Sequence, residues 1–302
     1  MAFRKQRGRA DPARPENVAY RKRFWGTNEA LRRAVEDVLS RIEGPASDIL
    51  KTLPAGWPLR PGTRGRALVM QFLAIHLIRT PLWRNTITRF RENALAHWQP
   101  TLPTGVSYDS LVQHVRSDEF WVAHSVEQID TMASLLGSLH WSLVRFPTPV
   151  LITGDQPLVP VPLLERGQRT RIGTFPPGGL LETIEFRFVI DPCRLLILCW
   201  QDSEEHDTLL EGTTAVACDT NRLIRGSADA EWFYRPGRPP LFVAPPFRET
   251  PDCEPVSPGL LPGYSPLRAH RSSRRREAQK MLDAMLQESG ASGLRSIVVE
   301  AV

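Results

Sequence analysis

The sequence predicts an α+β protein: an N-terminal helical bundle packed on a small, mostly antiparallel β-sheet, with a Pro-rich segment and a C-terminal helix appended. Three observations carry this. Residues 28–140 repeat apolar side chains at helical spacing, residues 141–200 hold short β-branched runs, and residues 235–266 contain ten prolines. The division expected is a flexible basic tail over 1–20 and a single α+β domain over 21–234. A Pro-rich irregular segment follows over 235–270, then an amphipathic helix and short strand over 271–302.

Asn28 can cap a helix reaching about Glu43, with Glu29 favourable at its positive end. Leu31, Ala34, Val35, Val38, Leu39 and Ile42 form its apolar face, and Gly44-Pro45 is the expected stop. A loop rich in Pro and Gly leads to a helix over about 63–79 that is apolar nearly all round, so it should lie at the centre of the bundle. Thr80-Pro81 supplies a cap and a first-turn proline for a helix to about Trp98, and two more helices are expected near 107–118 and 120–140.

The period then changes. "WSLVRF" (141–146) and "VLIT" (150–153) are separated by Pro147-Thr148-Pro149 and predict two paired strands. "LETIEFRFVI" (181–190) turns at Asp191-Pro192 into "RLLILCW" (194–200), an antiparallel pair with the second strand largely buried. A helix is expected near 213–233. Within the Pro-rich segment, "LFVAPPF" (241–247) is apolar enough to dock on the core as an extended strip, whereas 248–262 should be mobile.

Composition narrows the function. The longest apolar run, 67–78, contains Gln71 and His76 and is too short to span a membrane. No apolar segment follows the first charged residues, so no secretory signal is expected and a cytoplasmic location follows. The net charge is +5, and four of the 38 basic residues are Lys, leaving 34 Arg. The densest clusters, 4–9 and 271–276, sit beside Pro/Gly/Ser-rich stretches, as solvated tails do, so sequence-specific nucleic-acid binding is not expected. The spacing of Cys193, Cys199, Cys218 and Cys253 fits small buried thiols rather than a metal site. There is no phosphate-binding loop, nucleophile elbow, zincin or dinucleotide motif, and no cofactor or metal is expected.

Chemistry therefore rests on polar residues in apolar surroundings. On the 63–79 helix, His76 and Arg79 are neighbours three apart, and Gln71 lies about 80° around the axis from Arg79. Arg79 can pair a carboxylate or cap carbonyls, or it can hold an anionic group bidentately. His76 can be a core histidine or a base. Asp155, directly after a strand, can hold a Gly-Asp-x-Pro turn or act as a general base. Asn221 interrupts a predicted helix and invites a reason.

These residues fall in a recognisable order. An apolar helix ending in "LIRTP" (77–81), then Trp141, "TPVLITGDQP" (148–157), "IDP" (190–192), and "TNRLI" (220–224) with Ala228 resemble the bacterial family DUF4238. The resemblance covers about residues 28–234. It implies that Arg79, Asp155, Pro157 and Asn221 converge. The chain departs from the family pattern at Gly154 and Gln156, where Ser and Asn are usual, and at "FVIDP", where members end Pro-Leu-Ser-Pro. The region "NVAYRKRFWGTN" (17–28) also lacks the His and Pro of the His-Tyr-x-Pro segment that members often carry. Two functions are carried forward. One is a binding or regulatory protein, of the stress or defence kind, with a structural, buried Arg–Asp constellation. The other is a hydrolase-like enzyme in which Asp155 is the base and Arg79 clamps an anionic, phosphate-bearing small molecule.

Overall fold

The computed structural model describes residues 2–4, 9–11, 28–53, 57, 59–101, 107–162, 183–200, 207–237, 240–242, 276, 277 and 280. Five helices come first among the long elements: α1 (Glu29–Thr52), α2 (Arg64–Ile78), α3 (Pro81–Trp98), α4 (Tyr108–Arg116) and α5 (Asp118–Gly137). Each begins where a small polar side chain can satisfy the free main-chain N–H groups of the first turn. Asn28 accepts from Ala30 and Leu31, Thr63 from Arg66, Thr80 from Trp83, Ser107 from Ser110 and Ser117 from Phe120.

Helix α1 runs straight through Gly44-Pro45 instead of stopping there. Beyond the proline, Ala46 and Leu50 continue the buried stripe begun by Val35 and Leu39. Burying one further apolar turn against α2 outweighs the hydrogen bond that Pro45 cannot make. The centre of the bundle is α2, as its all-round apolar sequence predicts: Val69, Leu73, Ala74, Ile75, Leu77 and Ile78 are fully buried.

Two sheets follow, so the fold class is α+β. Strands β1 (Ala2–Arg4), β2 (Arg9–Asp11), β4 (Thr153–Gly154) and β9 (Glu231–Phe233) form a four-stranded sheet in the order β2-β1-β9-β4. A five-stranded sheet has the order β5-β6-β7-β3-β8, from Leu158–Pro162, Thr183–Asp191, Arg194–Cys199, His140–Arg145 and Thr208–Glu211. All its pairings are antiparallel except β3 with β8. The β6–β7 hairpin is the predicted one. The predicted pairing of 141–146 with 150–153 does not occur: β3 lies between β7 and β8, and β4 pairs with β9. Pro147-Thr148-Pro149 sends the chain from one sheet to the other rather than back along the same one.

Part of the expected basic tail is likewise paired, since β1 sits between β2 and β9. Of the C-terminal helix expected within 271–302, residues 276, 277 and 280 are described and are helical. The rest of 271–302, with its expected short strand, and most of the Pro-rich segment lie outside the described residues. The apolar strip expected at 241–247 is described at Leu241 and Phe242, where Phe242 packs on Trp232 with ring centroids 5.6 Å apart.

Register divides the five-stranded sheet into two unlike faces, because directly paired residues share a side. Leu158, Phe186, Leu198 and Trp141 share one face, and Phe188 of that face meets Phe72 and His76 of α2. The opposite face carries Glu185, Cys199 and His140 in one row and Arg187, Ile197, Ser142 and Thr208 in the next. Here α6 (Thr214–Ser227) brings Asp219 and Thr220 against Arg187.

Candidate functional site

Asp155 sits at the point where the chain leaves β4 and turns towards β5, so it lies between the two sheets. Its main-chain N–H donates to the carbonyl of Glu231 at 3.1 Å. Its carboxylate accepts three consecutive main-chain N–H groups: Asp229 on Oδ1 at 2.8 Å, then Ala230 and Glu231 on Oδ2 at 2.6 and 3.0 Å. A short run of main-chain N–H groups aimed at one point is an anion-binding nest. Here the chain's own carboxylate occupies it, and the occupant fastens the turn between α6 and β9.

Asn221 serves the same stretch from the other side. It is fully buried in α6, where its Oδ1 accepts the N–H of Ile152 at 3.0 Å. Its Nδ2 donates to the carbonyls of Val150 and Leu241 at 2.8 and 3.1 Å. That answers why an asparagine stands inside a helix: its amide replaces strand pairing that residues 150–152 lack. Asp155 and Asn221, two of the four residues that the resemblance groups together, thus both attach to the 150–155 box. Gly154 closes the junction, since a Cβ there would lie 3.3 Å from the Cβ of Ala228 and 3.4 Å from Cγ2 of Ile224.

Arg79 does not join them. It ends α2, and its guanidinium pairs with Glu43 of α1 with about a third of each side chain exposed. The expected Arg79–Asp155 bridge is therefore replaced by two separate attachments, one between helices and one between main-chain segments. Gln71 donates to Asp130 of α5 at 2.9 Å on an exposed surface. His76 packs edge-on against Phe72, with centroids 4.4 Å apart at 84°. Burial first, and the adjacent Arg79 charge second, push its pKa down to about 3. An imidazole that weakly basic is a poor proton acceptor near neutrality.

A buried Arg–Asp constellation does exist, built from residues that the motif order did not single out. Arg187 of β6 donates Nε to Glu185, and Nη1 to Asp219 at 2.6 Å and to Thr220 at 3.0 Å. Arg222 reaches the second oxygen of Asp219 at 3.2 Å. Glu185, Arg187 and Asp219 are 3%, 5% and 7% exposed, so the charges are withdrawn from water together and compensate one another. Burial works against the Arg187 charge, but Glu185 and Asp219 outweigh it and raise its pKa. The signal was present: in an alternating strand, Glu185 and Arg187 lie two apart and must share a face. A second closed pair, Arg66 with Asp207, is 4% and 3% exposed by side chain. Arg66 also donates to the carbonyl of Leu59 and stacks 4.1 Å over Trp141. Asp207 adopts a left-handed conformation, φ 34°, at the entry to β8.

Among the described residues no group of three His, Cys, Asp or Glu is placed to hold a metal ion, and no helix is long and apolar enough to cross a membrane. What these side chains do chemically is to join segments distant in sequence. Residues 1–237 match the profile of a family described as a protein of unknown function, DUF4238, and the chain belongs to that family. The match reaches the first residue and so takes in β1 and β2. No curated protein and no solved structure matches the chain.

Proposed function

We propose that this member of the DUF4238 family is a binding or regulatory protein, whose Asp155, Asn221 and Arg187 maintain the fold that presents the binding surface. One observation carries the reading: both carboxylate oxygens of Asp155 already accept main-chain N–H groups. A general base needs a lone pair aimed at a substrate proton within hydrogen-bond reach. Taking Asp155 for that task would set a substrate proton in competition with the three main-chain N–H groups that already share its two oxygens. The hydrolase-like reading also needs Arg79 as its anion clamp, and Glu43 neutralises that guanidinium.

The test uses the full chain against chromogenic phosphate monoesters and diesters, comparing wild type with Asp155→Asn. The expected result is no turnover that depends on Asp155, together with a lower unfolding midpoint in the variant. Turnover lost in Asp155→Asn at unchanged stability would reverse the assignment.

A further inference from the structure

Three helices bring basic side chains around one aromatic ring, remote in sequence from the 150–155 box. Arg91 of α3 lies over Phe120 with its Cζ 4.4 Å from the ring centroid. His114 of α4 meets the same ring at 4.9 Å and 57°. His124 of α5, one turn after Phe120, lies parallel to it within 8° at 6.3 Å. A separate apolar cluster of Leu95, Leu111 and Val115 packs with Phe120 and gives the junction a rigid floor.

Charge is unbalanced here. Two other arginines of these helices have counter-ions: Arg84 pairs with Asp118 at 2.6 Å, and Arg116 with Glu92 at 2.5 Å. Among the described residues, Arg91 makes no ion pair and no hydrogen bond. Glu127 approaches His124 at 3.9 Å with its own side chain 77% exposed, and it reaches Arg91 only through space.

We infer that this junction binds a small oxyanion group, a phosphate or carboxylate borne by a ligand, held by Arg91 and His124 beside Phe120. The inference rests on the binding reading above and deepens it by naming a site and a ligand chemistry. A guanidinium stacked on a ring keeps its in-plane N–H donors free for a bidentate acceptor. The electrostatics agree. Burial pushes Arg91 down to about 10, with Glu127 opposing, and burial together with Arg91 pushes His124 down to about 3. Both positive charges are thus disfavoured by burial, and that of His124 by Arg91 as well, and an arriving anion would offset this. Binding should therefore raise the His124 pKa, take up a proton and tighten as pH falls. The titratable and charged groups on these helices that bear on this linkage are Arg91, His114, His124 and Glu127, with the Arg84–Asp118 and Arg116–Glu92 pairs, Arg89 and Tyr108.

The experiment uses the full chain with inorganic phosphate or succinate as probes, against chloride at matched ionic strength. Two readouts serve, the unfolding midpoint and the NMR titration of the His124 ring. The expected result is a midpoint raised by one of the probes, more at mildly acidic than at neutral pH, with the His124 titration moved upwards. Which probe acts tells phosphate from carboxylate. Arg91→Gln should weaken the effect by roughly 10- to 100-fold, the range of one lost charge-assisted hydrogen bond. Each variant is compared with its own ligand-free midpoint, and His124→Asn serves if Arg91→Gln does not fold. Equal shifts in wild type and variants, or no shift from either probe with His124 unmoved, would overturn the site. Such a failure leaves the broader binding reading standing, whereas Asp155-dependent turnover would sink that reading and, with it, the junction's role as the binding site of a non-enzymatic protein.

Discussion

Replacing Asp155 with alanine removes the carboxylate to which three main-chain N–H groups donate. The N–H of Asp229 is exposed and can turn to water, so its loss costs little. Those of Ala230 and Glu231 are partly buried, bonded at 2.6 and 3.0 Å. A hydrogen bond to a charged group contributes about 1.5–3 kcal/mol net, and partial solvent access reduces that, so the two together suggest about 2–4 kcal/mol. In a chain of this size each kcal/mol moves the midpoint by about 2–4 °C, so the alanine variant should melt roughly 4–16 °C lower.

Asparagine is the finer probe. Its one oxygen can take the place of Oδ2 and keep both partly buried donors, while the exposed one goes to water. The charge assistance is lost, and the expected cost is about 1–2 kcal/mol. Urea unfolding followed by tryptophan fluorescence suits the measurement, because Trp232 lies in the strand that the carboxylate fastens. An alanine variant within about 0.5 kcal/mol of wild type, the range of a neutral surface change, would refute the fastening role.

Acid should destabilise the fold through its half-buried imidazoles. His76 and His124 take up protons near 6.5 when unfolded but only near 3 when folded, so the unfolded state binds more protons between those values. Stability is then lost as pH falls through that window, by at most about 1.4 kcal/mol per pH unit for each histidine, and His76→Phe should flatten the slope in pH-dependent unfolding. Asp219→Ala should cost roughly 3–5 kcal/mol by stranding Arg187, whereas replacing Glu185, Arg187 and Asp219 together with Leu, Met and Leu should come close to wild type in the same assay. Gly154→Ser, which restores the residue usual in the family, forces its Cβ to 3.3 Å from that of Ala228 and should cost about 1–3 kcal/mol. Adding Ala228→Gly should recover part of that loss, and a double-mutant cycle with no coupling would show that the two do not touch.

The elements of this fold were legible where one local rule decided them. A capping side chain marks the starts of α1 and α3, nearly all-round apolarity marks α2, and Asp191-Pro192 marks the hairpin that joins β6 to β7. The misreadings share a different cause. Pro45 ends a helix only if nothing beyond it needs burying, and Leu50 does. Strands 141–146 and 150–153 are adjacent in sequence, yet their partners, β7 and β9, come from later in the chain. The candidate site divides along the same line. A charge at the end of a buried strand must find donors, and that requirement is readable from the position of Asp155 alone. Arg79 was the natural donor because side-chain donors are written in the sequence. The donors that the fold supplies are main-chain N–H groups 74 to 76 residues away, which every residue but proline possesses. No residue type announces them. They become a site only when α6 and β9 bring the turn at 229–231 to the carboxylate, so the need was local and its satisfaction was not.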